Sequence, residues 1–120
     1  MLNKDFAHHF ADDWIASWNS HDLDRIMSHY TDDFEMTSPF IGSRMGIPSG
    51  TIKGKTGVRE YWAKSLARFP DLKFTLREVA YSLNSIALYY ESSIGKKAVE
   101  WFLFNESGLV VKAIAHYNEL

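Results

Sequence analysis

Between Lys73 and Asn118 the chain carries strand-like runs at Lys73–Leu83, Ile86–Ile94, Lys97–Asn105 and Leu109–Asn118, broken by short turns at Asn84-Ser85, Gly95-Lys96 and Ser107-Gly108. Turns this short leave no chain for a crossover, so successive strands must be antiparallel neighbours. In the third run, alternation puts Ala98, Glu100, Phe102 and Phe104 on one face and Val99, Trp101 and Leu103 on the other. Both faces are apolar, and a sheet with one such face in water would expose an unusually large patch. The expected cover is a second copy in a two-fold homodimer, through Val99, Trp101, Leu103, Ile114 and His116. Strands stacked within one subunit are the alternative.

The first half reads as helices. Phe6, Phe10, Trp14 and Trp18 recur every four residues, while His8, His9, Asp12, Asp13 and Ser17 take the opposite face. Asn19-Ser20-His21-Asp22 reads as a break and a new cap. A second helix then presents Leu23, Ile26, Met27 and Tyr30 on one face. Phe34, Met36 and Ser38 alternate with Glu35 and Thr37 as a short strand that stops at Pro39. Pro39 to Gly54, with two prolines and four glycines, reads as a long loop over a pocket. Thr56 caps a third helix with Val58, Tyr61, Trp62, Leu66 and Phe69 inward, closed by Pro70. The expected fold is therefore α+β: three N-terminal helices covering one face of a mainly antiparallel sheet.

Composition sets the outer limits. The 120 residues, 46% apolar and 15% aromatic, suffice for one domain over 1–120 with a real core, without linker or repeat. A net charge of −2 argues against nucleic-acid and anionic-membrane partners. There is no cysteine, so thiol chemistry is excluded. Met1-Leu2-Asn3-Lys4-Asp5 opens into an amphipathic pattern rather than a signal-peptide core, which makes the cytoplasm the expected compartment. His8 with Asp12 and His9 with Asp13 stand at i, i+4 opposite the aromatic stripe, as a solvated face would; no metal and no cofactor is expected.

Certain residues carry a family resemblance. The run from Trp14 to Asp24 (Trp-Ile-Ala-Ser-Trp-Asn-Ser-His-Asp-Leu-Asp), then Tyr30-Thr-Asp-Asp-Phe, Ser38-Pro39, Gly54-Lys-Thr-Gly-Val-Arg-Glu-Tyr-Trp and the final meander resemble the nuclear-transport-factor-2-like superfamily. Within it the chain looks most like the SnoaL-like polyketide cyclase and ketosteroid isomerase group, over about residues 6 to 118. That resemblance implies a cone-like α+β barrel, with the three helices packed in the concave face of a strongly curved mixed, mainly antiparallel sheet around one cavity. In the isomerases an oxyanion is held by a tyrosine, here Trp14, and a protonated acid, here Glu100; the base is replaced by Ser38 and a supporting tyrosine by Trp62. Steroid isomerisation by that route is therefore not expected. The SnoaL-like cyclases rely mainly on one late-strand acid, which again maps to Glu100. An epoxide-hydrolase arrangement would need aspartates flanking Arg44, Arg59, Arg68 or Arg77, and none is evident.

Glu100 is thus the expected catalytic residue, because a carboxylate among apolar neighbours must pair or hold its proton more tightly. Trp14, Met36, Ser38, Trp62, Phe102 and Tyr117 are expected to line the pocket with it. Ala113 and Ala115 share Tyr117's face and leave room. Tyr89 and Tyr90 face opposite ways. A two-residue turn at Gly95-Lys96 would oppose Glu91 to Glu100 and send Tyr89 inward, and avoiding that repulsion favours Tyr90. Three functions stay open: cofactor-independent acid–base chemistry on a small carbonyl compound, non-catalytic binding of a small apolar molecule, or a dimeric partner-binding module.

Overall fold

Phe10, Trp14 and Trp18 bury one side of helix α1 (Lys4–Ser20) against the sheet, in a computed structural model that describes residues 2–120. Met1, and with it the first residue of the domain read from the sequence, lies outside the described residues. Asn3 caps the helix by accepting from the Phe6 amide at 2.8 Å. Helix α2 (Leu23–Met27) is capped by Asp22. Strand β1 (Tyr30–Thr37), helix α3 (Pro39–Met45), strand β2 (Thr51–Lys53) and helix α4 (Lys55–Arg68) follow. The meander is β3 (Phe74–Tyr81), β4 (Ser85–Ser92), β5 (Lys97–Phe104) and β6 (Val110–Tyr117).

The strands form one six-stranded sheet in the order β2-β1-β6-β5-β4-β3. β1 and β6 pair in parallel and the other neighbours antiparallel. Register shifts in the β3–β4, β5–β6 and β1–β6 pairings raise the local twist, which lets the sheet curl around the helices. The contact is mostly aromatic: Phe10 meets Phe102 at 5.0 Å and Phe104 at 4.9 Å, edge to face, and Trp14 meets Phe102 at 5.3 Å.

The end of α1 is stapled to the start of β3. The Asn19 amide group donates to the Phe74 carbonyl at 3.0 Å, and its oxygen accepts from the Phe74 N–H at 2.7 Å. One side chain therefore does the work of a neighbouring strand at the sheet edge. His21, at φ 59, closes the helix and bonds the Leu72 carbonyl at 2.6 Å.

The α+β layout agrees with the sequence reading, with local corrections. Among the described residues there are four helices, not three. The expected loop contains α3 and β2: Ser38 accepts from the Phe40 amide as N-cap, and Pro39 occupies the first turn, where its missing N–H costs nothing. Tyr30 belongs to β1, because the His29 carbonyl accepts from Val110 at 2.9 Å and draws the backbone into the sheet. Gly54, at φ 96, and not Thr56, precedes the first turn of α4. The β4–β5 connection is a three-residue loop, Ser93-Ile94-Gly95, with Ser92 donating to the Lys96 carbonyl at 2.8 Å and Gly95 at φ 86.

Replacing Asn19 with Ala strips both backbone groups of Phe74 of their partners. We expect a loss of about 1–3 kcal/mol in urea unfolding, with faster amide exchange at Phe74 than at Phe102. A neutral substitution would show that the staple contributes nothing.

Candidate functional site

The three-residue loop sets which side chains of β4 and β5 share a face. Tyr90 stands opposite Ala98, Leu88 opposite Glu100, and Glu91 opposite Lys97. The even offset turns Tyr90 and Glu100 to the same interior, where the Tyr90 hydroxyl donates to Glu100 Oε1 at 2.9 Å. The expected inward Tyr90 is thus found, and Glu91 meets a cation instead of a second carboxylate.

Glu100 is 3% exposed and contributes to the wall of a cavity of about 80 Å³. Trp14 and Trp18 from α1, Tyr61 and Trp62 from α4, and Phe74 and Tyr90 from the meander supply the aromatic wall. Met36, Ala98 and Tyr117 complete much of the inner surface. Phe40, Arg44, Phe69, Ile94 and Lys96 form the more exposed rim.

Burial dominates the electrostatics. It pushes the Glu100 carboxyl up to about 7, against a smaller opposing effect of the Tyr90 hydrogen bond. Burial, then the Glu100 charge, raises Tyr90 and Tyr117 well above the usual phenol range. Tyr61 is raised first by burial, while the Ser38 hydroxyl and the Arg44 charge hold it back. These phenols stay protonated at physiological pH and serve as hydrogen-bond donors. The titrating group of the chamber is Glu100.

The structure brings Trp14, Met36, Trp62, Tyr90, Glu100 and Tyr117 to the cavity surface. Phe102, Ala113 and Ala115 are buried but lie outside it. Phe102 is wedged between Phe10 and Trp14, so its ring is core. The two alanines back the wall without opening it. Ser38 is also buried off the cavity, holding the start of α3. Trp14's indole N–H is taken: it donates to the Tyr30 hydroxyl at 2.9 Å, so it is not free to steady an oxyanion.

Tyr61, Arg44 and Lys96 are not among the site residues expected from the sequence. Phe40 and Arg44 stand one turn apart on α3, a signal invisible while that stretch reads as loop. Tyr61 could have been found from its place beside Trp62 on the apolar face of α4. Asp13, expected on a solvated face, pairs with His29 Nε2 at 2.7 Å and Arg25 at 3.4 Å, away from the cavity.

Comparison with known proteins agrees with this architecture. The SnoaL-like domain model matches residues 11–117. A SnoaL-like protein of unknown function from Burkholderia thailandensis is 44% identical, with a TM-score of 0.94 over 97% of each chain. A candidate ketosteroid isomerase from Kribbella flavida is 15% identical, with a TM-score of 0.76 over 97% of this chain and 80% of that one. IdmH, a candidate polyketide cyclase from Streptomyces antibioticus, is 16% identical, with a TM-score of 0.78 over 93% of this chain and 91% of its own. The last two establish likeness of fold, the nuclear-transport-factor-2-like fold implied by the resemblance. No curated protein matches the chain. Among the described residues, no helix is long and apolar enough to cross a membrane.

Because Glu100 holds its proton more tightly folded than unfolded, its contribution to stability is full below the unfolded value of 4.5 and is lost as pH rises through about 7. Above that the ionised, buried carboxylate costs on the order of 3 kcal/mol. Glu100→Gln keeps an acceptor for Tyr90 and removes the titration. Between about pH 5 and about pH 8, urea unfolding should show the variant gaining roughly 2–3 kcal/mol on the wild type. A pH-independent difference would mean that Glu100 titrates as if in water.

Proposed function

The chain belongs to the SnoaL-like family, and we propose that its pocket binds a small, mostly apolar ring carbonyl compound and moves a proton on it through Glu100 without a cofactor. The observation that carries this reading is a buried carboxyl at about 7, oriented by Tyr90, in the wall of an aromatic cavity. A carboxyl at that value is divided between acid and base near neutral pH, the most effective setting for general acid–base work. As carboxylate, Glu100 takes a proton from the carbon next to the carbonyl. The C–H electron pair becomes the C=C bond, and the carbonyl oxygen takes up the negative charge. The protonated phenols of Tyr61 and Tyr117 are the wall donors that can stabilise that oxygen. Returning the proton from Glu100 to another carbon gives isomerisation; the enolate attacking a second carbonyl gives ring closure.

The buried polar groups also favour a second reading, recognition without chemistry. Ser38 is committed to capping α3 and Trp14's N–H to Tyr30, so neither position of the isomerase arrangement that they occupy offers a base or a free donor. In that case protonated Glu100 only donates a hydrogen bond to the ligand's oxygen.

Deuterium uptake at the α-carbon of 2-tetralone, followed by NMR in heavy water, separates the two. Proton transfer predicts an exchange rate that climbs with pH, levels off above about 7 and falls by about 100-fold or more in Glu100→Gln. Exchange no faster than in the variant, with tetralone still bound, would sink the chemical reading and leave the binding one.

For the outer sheet face we propose a second copy of the chain as the cover. Val99 is 43% exposed there, next to half-buried Trp101, Leu103 and Ile114 and exposed His116. Sedimentation of the wild type at micromolar concentration is expected to give a dimer, and Val99→Glu with Leu103→Glu a folded monomer. A monomeric wild type would refute this assembly.

A further inference from the structure

The cavity is too small to swallow the ligand that the proposed function calls for. At about 80 Å³ it lies below the ~150 Å³ of an apolar cavity that accepts benzene. A ring compound whose carbonyl end reaches Glu100 must leave its far end at the rim. That rim draws on α3 with Phe40 and Arg44, on Phe69 at the end of α4, and on the β4–β5 connection with Ile94 and Lys96.

The rim is cationic, and aromatic rings flank its charges. The Arg44 guanidinium sits 4.5 Å from the Phe40 ring centre and 5.3 Å from that of Phe69. Lys96 Nζ lies 5.7 Å from the same Phe40 ring. The two charges are therefore no more than about 10 Å apart, close enough to feel each other at physiological ionic strength. Among the described residues neither forms an ion pair. Glu100 is the carboxylate of the cavity lining, and it stands in the buried wall. Aromatic faces can orient such cations but do not neutralise them.

We propose that this rim is an anion subsite, so that the pocket takes an aromatic carbonyl compound carrying one carboxylate, its carbonyl end turned in toward Glu100 and its carboxylate lodged between Arg44 and Lys96. The inference rests on the proposed pocket function and adds the class of molecule. The guanidinium supplies a flat fork for the carboxylate, the ammonium a second point charge from the opposite lip. Ile94, 41% exposed, adds apolar surface for the portion of ring between the two ends. The ligand bridges α3 and the β4–β5 loop, which lie far apart in sequence.

Matched probes test this: 4-acetylbenzoate against 4-acetylbenzamide, and 6-acetyl-2-naphthoate against its amide, titrated by NMR at low and physiological salt. At least one carboxylate is expected to bind about tenfold or more tightly than its amide, with the advantage shrinking as salt rises. It should collapse to within about twofold in Arg44→Gln with Lys96→Gln, and survive in Arg44→Lys with Lys96→Arg. Amides that bind as well as the acids, or an advantage that persists in the double glutamine variant, would overturn the subsite while leaving the pocket reading intact. No binding by any of the four would overturn both.

Discussion

Much of this structure depends on keeping one carboxyl out of water. Glu100 sits among rings on the inner face of β5, where desolvation opposes ionisation and the Tyr90 hydroxyl offsets part of that cost. That arrangement needs the β4–β5 loop to have an odd number of residues, α1 to seal the chamber with Trp14 and Trp18, and α4 to close it with Tyr61 and Trp62. Lengthening the loop by one residue would turn Tyr90 outward, and the acid would then be buried without its donor. The register of a single hairpin is thus both a structural and an electrostatic decision.

The parts of the fold legible in the sequence were those set by strict periodicity. Alternation in β5 placed Ala98, Glu100, Phe102 and Phe104 together, and all four are buried. The four-residue recurrence of Phe10, Trp14 and Trp18 gave α1 its inner face. Tyr90 follows from the repulsion between opposed carboxylates, which needs no knowledge of the loop. What failed was local and had competing signals. Pro39 reads as a stop after a strand and as the first residue of a helix, and choosing the former hid α3 together with Phe40 and Arg44. Tyr30 continues the apolar spacing of α2, but pairing with β6 outweighs one more turn of a very short helix.

The site itself was half legible. Strand alternation gives direction, and with it the inward Glu100, Tyr90 and Tyr117. Distance into the interior could not, because burial along a strand does not distinguish a cavity wall from packed core. Phe102 and Ala113 show this: both point inward, yet the space before them is filled by protein. Hydrogen bonds between distant elements were likewise out of reach. Trp14 lies 16 positions from Tyr30, and no local pattern announces that its indole is spent there.

The same buried acid gives opposite pH signatures to the two functions it can serve. Holding a carbonyl oxygen uses the protonated form, so affinity from that contact declines as pH passes about 7. Taking a proton from carbon uses the carboxylate, so that rate climbs over the same interval. A ligand that accepts a hydrogen bond from Glu100 also favours its protonated form and moves the crossover upward. An anion at the rim does so as well, because one negative charge in the chamber discourages another. The cations of Arg44 and Lys96 oppose that shift. On the proposed binding mode, rim and wall are therefore coupled through the ligand's own charge: an anion lodged at the rim moves the crossover upward, and by less where Arg44 and Lys96 offset it.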